Sequence, residues 1–193
     1  MGEPIFAQRQ AGGLCYCEAG CGDLAVAIAE EGEHPARAYA LLAERRRVLV
    51  FTLPADAAMP QEAAHRIGAV LAALAIERFD LMAEGGAVAA ALWLARARQA
   101  DIGSVILVAP AGAPDDAFRD IERPMLVLRG TTDRSDAADR YRASLPDCHF
   151  MFVYDAGRMI AAERPEALVF IAGEFFERRD LFLVSRESGL AFP

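Results

Sequence analysis

Phe79-Asp80-Leu81-Met82-Ala83-Glu84-Gly85-Gly86-Ala87-Val88-Ala89-Ala90-Ala91-Leu92-Trp93-Leu94-Ala95 is the stretch whose reading decides the fold. Its first six residues are mostly apolar and short enough for a buried strand, and Gly85-Gly86 breaks the run. The Ala-rich segment beyond is apolar on most sides, as a buried helix is. Strand, tight turn of small residues and helix follow one another directly, so the segment forms an elbow. Met82 and Trp93 lie within it and are assigned to the core.

The composition around this elbow is that of a well-packed globular chain. Of 193 residues, 54% are hydrophobic and 25% charged, which suits one domain over residues 1–193 with a sizeable core. The net charge of −8 argues against nucleic-acid partners and against anionic membrane surfaces. All 20 basic residues are arginine, which excludes a Schiff-base lysine and the lysine of a phosphate-binding loop. No run of apolar residues is long enough to span a bilayer. Met1-Gly2-Glu3-Pro4 lacks the basic and apolar regions of a signal peptide, so a cytoplasmic location is expected.

Cys15, Cys17, Cys21 and Cys148 are then expected to be free thiols. Cys15 and Cys17 share one face of a strand and are read as packing residues. Their spacing lacks the C-x2-C pairs of structural zinc, so no metal and no cofactor is expected. His34, His65 and His149 are scattered over a loop, a helix and a strand start, and His34 alone is a candidate stand-in base.

Residues 5–29 alternate short apolar runs with Gly-rich turns, which predicts a hairpin leading into a buried strand that ends near Ile28-Ala29. A helix is predicted over 36–44 and an apolar strand over 48–53. Residues 60–77 repeat Ile67, Val70, Leu71, Leu74 and Ala75 at helical spacing. Beyond the elbow come a strand over 104–109 and a Pro/Gly turn. A strand over 124–129, a helix over 136–144, a strand over 149–154 and a helix over 164–176 complete the pattern. Strands and helices in alternation predict a mostly parallel sheet covered on both faces, a three-layer α/β/α sandwich. The apolar tail, Leu181 to Ser185, is expected to pack on the body.

These motifs resemble those of the α/β-hydrolase superfamily over nearly the whole chain from Cys15. Glu18-Ala19-Gly20-Cys21-Gly22 resembles the turn between two of the family's strands, and Leu53-Pro54-Ala55-Asp56 falls at its Leu-Pro-Gly turn. The elbow resembles the family's G-x-S-x-G turn, with Ala83 and Ala87 at the outer glycine positions and Gly85 at the serine position. Gly130-Thr131-Thr132-Asp133-Arg134 matches the turn of the triad acid, with Asp133 at the acid position. Asp155-Ala156-Gly157-Arg158-Met159 matches the loop of the triad histidine, with Arg158 in its place. Glu163-Arg164-Pro165-Glu166 before the last helix is a further familiar feature. Only residues 113–123 separate the Pro/Gly turn from the next strand, so the helical cap that the family inserts there is absent or reduced to a turn around 115–121.

By this resemblance the catalytic equipment is incomplete. Gly85 carries no nucleophile, and Arg158 stays protonated and accepts no proton. The family's His-Gly oxyanion loop is replaced by Ala29-Glu30-Glu31-Gly32-Glu33, whose carboxylates oppose a developing negative charge. Asp133 is the surviving triad member, and the Gly86 N–H is the surviving oxyanion donor. Asp133 and Arg158 are expected to form a salt bridge, since the scaffold brings their loops together.

Ala29, Glu30, Glu84 and Gly86 are the pocket candidates. The glutamates are read as exposed carboxylates, with an acidic floor for a metal or cationic ligand as the alternative. The function expected is a non-catalytic scaffold that binds a small apolar ligand or a protein partner. The alternatives are an atypical hydrolase or lyase that uses Asp133 and nearby glutamates for acid–base chemistry, and an assembly role as a homo-oligomer.

Overall fold

The computed structural model describes residues 5–30, 37–53, 59–145 and 148–179. The expectations placed on Glu31, Glu33, His34, Pro54 to Asp56 and the tail lie outside these residues.

Among the described residues the alternation read from the sequence becomes one eight-stranded sheet. β1 (Ala7–Ala11) and β2 (Leu14–Ala19) form the hairpin. β3 (Leu24–Glu30), β4 (Arg47–Leu53), β5 (Phe79–Glu84), β6 (Ile102–Val108), β7 (Met125–Gly130) and β8 (Cys148–Val153) follow. Their spatial order is β1-β2-β4-β3-β5-β6-β7-β8. β2 runs antiparallel to β1 and β4, and every pairing from β4 through β8 is parallel. This sheet covered by helices on both faces is the α/β-hydrolase fold.

Among the described residues six α-helices cover it: α1 (Arg37–Ala43), α2 (Pro60–Ala73), α3 (Val88–Ala97), α4 (Ala137–Ser144), α5 (Ile160–Glu163) and α6 (Pro165–Arg178). The alternation of side chains along each central strand divides the core in two. Val26, Ile28, Leu81, Ala83, Val105, Leu107 and Val127 join the residues of α2, α3 and α4 in one layer. Ala25, Ala27, Ala29, Met82, Ile106, Val108 and Leu128 join α1, α5 and α6 in the other. Strands buried on both faces explain why the sequence shows continuous apolar runs rather than alternation. Met82 is buried in the second layer, and Trp93 is half-buried with its ring edge-on to Phe118 at 5.2 Å.

Helix α2 stops at Ala73, short of the predicted residue 77. Ala75 takes a left-handed φ of 52°, its N–H donates to Ala72 O, and the Ile76 N–H donates to Leu71 O. This is a Schellman termination with alanine where glycine is usual, which is why helical spacing ran on past it. Cys15 also departs from expectation. Its side chain is exposed, and Tyr16, on the opposite face of β2, is the one buried in the core. Cys17 keeps the packing role, half-buried against the layer of α1 and α6.

At the amino end of the parallel strands sits an ionic cluster with no forewarning in the sequence. Asp80 is 3% exposed; Arg46 Nη1 donates to its Oδ2 at 2.8 Å and Ser104 Oγ to its Oδ1 at 2.8 Å. Arg179 Nη2 stands 3.9 Å from Oδ1, and the Arg46 guanidinium lies 4.8 Å from the Phe176 ring centre. The cluster joins the turn after α1, β5, β6 and the end of α6, at the end of the sheet away from the elbow. No cap intervenes between β6 and β7, where the chain makes a single 3-10 helix over Asp116–Asp120.

Candidate functional site

The elbow occupies the carboxyl end of β5, where ligands gather in open parallel sheets. Glu84 ends the strand with extended backbone angles, Gly85 turns with φ +60°, and a 3-10 turn over Gly85–Ala87 feeds α3. A left-handed φ at the nucleophile position is the strain such an elbow normally imposes on a serine, and glycine adopts it without steric cost. The turn is fixed from the side, since the Ala111 N–H beyond β6 donates to Gly85 O at 3.0 Å.

Glu30, the last residue of β3, reaches over this turn. The Gly86 N–H donates to Glu30 Oε1 at 2.6 Å. A Cβ placed on Gly85 would lie 3.3 Å from the same oxygen, and one placed on Gly86 would overlap it. The first N–H groups of a helix have no intrahelical acceptor, and a carboxylate there gains a charge-assisted bond plus the favourable end of the helix dipole. The oxyanion donor identified from the sequence is therefore engaged by a side chain of the chain itself.

The other candidates are dispersed. Ala29 is wholly buried in the layer of α1 and α6 and lines no open surface. Glu84 is buried, not exposed as read, and its Oε1 accepts the Ala161 N–H of α5 at 3.2 Å, directed into the helix layer rather than over the elbow. Glu30 and Glu84 thus leave the elbow in different directions. Among the described residues no group of His, Cys, Asp and Glu side chains is placed to hold a metal ion.

The acid and histidine loops do meet, but through their backbones. Thr132 donates to Ala156 O twice, from its N–H at 2.9 Å and from Oγ1 at 2.8 Å. The Asp155 N–H donates to Thr131 Oγ1 at 2.9 Å, and a Cβ on Gly130 would overlap the carbonyls of Ala156 and Gly157. The Gly157 N–H is held in turn by Glu163 Oε2 at 2.5 Å.

The expected salt bridge is not formed. Asp133 is 8% exposed and turns to its own loop, where Oδ1 accepts the Ser135 N–H at 2.9 Å and Oδ2 the Ser135 hydroxyl at 3.0 Å. Arg158 is exposed, and no ion pair among the described residues joins it to Asp133. A carboxylate satisfied two residues away in an Asx turn gains little from a hydrated arginine. Ser135 could have been found in the sequence from the Asp-x-Ser spacing, whereas Glu163 offers no such local signal.

Cavities of about 210 and 340 Å³ lie elsewhere, beside Asp80 and Arg179 at the base of the sheet and between α1 and α6. No helix among the described residues is long and apolar enough to cross a membrane.

Fold and elbow together place the chain among proteins with the α/β-hydrolase architecture. No family model and no curated protein matches it in sequence. Solved structures match it over most of its length. A serine hydrolase involved in carbazole degradation superposes with TM-score 0.76 at 15% identity, covering 90% of this chain and 99% of its own. An α/β-hydrolase from the sediment metagenome of the Mar Chica lagoon, Morocco, gives the same values: 0.76, 15%, 90% and 99%. A predicted CIB-like hydrolase from Thermoplasma acidophilum superposes with TM-score 0.71 at 16% identity, covering 89% of this chain and 98% of its own. At such identities the likeness is one of fold.

Proposed function

We propose that the chain is a non-catalytic member of this architecture, a scaffold whose former active-site face binds a small ligand or a protein partner. The observation that carries this reading is the elbow, where Gly85 offers no nucleophile and the Gly86 N–H is already bound to Glu30. Acyl transfer needs a nucleophile, a base and free oxyanion donors together, and removal of single members already costs several orders of magnitude. Large apolar side chains are exposed in segments that follow β4 and β8 and support a docking role: Met59 before α2 is 58% exposed, and Tyr154 and Met159 after β8 are 70% and 48% exposed. Methionine and tyrosine suit an adaptable contact surface.

The runner-up is acid–base chemistry on a carboxylate, favoured by one observation: Glu30 brings a carboxylate oxygen to 3.3 Å from where a side chain on residue 85 would begin. Hydrolysis of short-chain p-nitrophenyl esters by the wild type, Asp133→Asn and Glu30→Gln decides between them. Rates equal to the buffer blank in all three uphold the scaffold. Turnover that either substitution abolishes establishes an enzyme and overturns it.

A further inference from the structure

Glu30 does more than occupy an exposed strand end. We infer that its carboxylate is a built-in occupant of the elbow, an internal oxyanion that closes the slot over Gly85 and Gly86 to ligand oxygens. The inference rests on the reading of this elbow as non-catalytic, and it adds how the site is regulated and what it refuses.

Three features converge on it. The bond from the Gly86 N–H to Glu30 Oε1 is 2.6 Å, at the short limit for N–H···O, and its acceptor is a carboxylate, which makes it charge-assisted. The space that the carboxylate fills exists because Gly86 has no side chain, and a Cβ there would force it out. The residue ends β3, where the family resemblance implies an oxyanion-donor loop, and in this chain that position supplies an acceptor.

A substrate carbonyl or carboxylate arriving at this elbow meets a negative charge and finds the donor taken. It gains the Gly86 N–H only by displacing Glu30. The closed elbow therefore favours ligands that donate hydrogen bonds over those that accept them. Restoring a serine and a histidine would leave the oxyanion position blocked as before.

The test is ¹⁵N-resolved NMR of the full chain, read at the amide of position 86, with wild type, Glu30→Ala and Gly86→Ala compared. In the wild type this proton should resonate far downfield and exchange slowly with solvent. Glu30→Ala should move it upfield and speed exchange by at least about tenfold, the order expected for loss of a charge-assisted bond. Gly86→Ala should do the same with the net charge unchanged, by evicting the carboxylate, and it carries the test if Glu30→Ala does not fold. Acetate should shift the position-86 amide in Glu30→Ala and leave the wild type unmoved.

A wild-type amide that exchanges as freely as an unprotected peptide, or one that acetate shifts as readily as in Glu30→Ala, overturns the inference. Ester turnover lost in Asp133→Asn would overturn the scaffold reading and leave the amide result standing, so the two failures are distinguishable.

Discussion

Asp80→Asn should be among the most damaging single-atom changes in this chain, although Asp80 touches nothing at the elbow. Wild-type Asp80 balances Arg46, whose side chain is only 10% exposed, and it also accepts the Ser104 hydroxyl. The asparagine keeps the shape and one acceptor but leaves the Arg46 guanidinium buried without a counter-charge. Removing one partner of a buried pair costs about 3–5 kcal/mol, because the desolvation of the remaining charge is no longer offset. Arg179 relieves none of this, since it adds a second positive charge 3.9 Å from the carboxylate.

Urea unfolding followed by circular dichroism and Trp93 fluorescence measures the loss. With an m-value of about 2 kcal/mol/M, the midpoint should fall by roughly 1.5–2.5 M at unchanged m. The double variant Arg46→Met with Asp80→Leu should recover most of the stability, as apolar replacement of a whole buried pair is close to neutral. A loss below about 1 kcal/mol for Asp80→Asn, or a double variant no more stable than the single one, would refute the uncompensated-charge argument.

Two further predictions concern stability. Ala75→Gly should stabilise the chain by about 0.5–1 kcal/mol, because glycine removes the left-handed strain at the end of α2 at a smaller entropic cost in the unfolded state; a lower urea midpoint would contradict it. Burial pushes the Tyr141 hydroxyl from 10 up to about 12, with Arg140 opposing. Unfolded chains therefore lose this proton first, so its contribution is intact below pH 10 and disappears between pH 10 and 12, roughly 2–3 kcal/mol in all. Tyr141→Phe should flatten that alkaline loss by about the same amount in urea titrations at pH 9 and 11.5, and an unchanged slope would sink the assignment.

What the sequence made legible was whatever local patterning controls. Continuous apolar runs punctuated by Gly85-Gly86, by Gly112 and by Gly130-Thr131 gave the parallel strands, the elbow and the acid turn, because a buried strand and a tight turn each leave a composition behind. The end of α2 escaped because alanine at position 75 carries a conformation that propensity assigns to glycine. The Arg46–Asp80 pair escaped because two residues 34 apart share no local signature until the sheet is assembled. The proximity of the acid and histidine loops was foreseen, while the pairing of Asp133 with Arg158 was not realised. Proximity is a property of the backbone, and side-chain pairing is decided by competition, which Ser135 wins at two residues' distance.

The same division explains how this elbow keeps its form with no side chain at position 85. The loops of the acid and histidine positions are joined by bonds among Thr131, Thr132, Asp155 and Ala156, and the elbow is tied to the turn after β6 through the backbone groups of Ala111 and Gly85. None of these bonds uses the side chain of residue 85 or 158. Gly85 adopts the left-handed backbone there without the strain that a side chain would bring. The first N–H groups of a helix, the Gly86 N–H among them, have no intrahelical acceptor and gain from a nearby carboxylate. Glu30 supplies that carboxylate from the neighbouring strand. A side chain at position 85 would meet the Glu30 oxygen in a tight contact of 3.3 Å at its Cβ, whereas one at position 86 would overlap it, so the place of the glutamate depends chiefly on the bare Gly86.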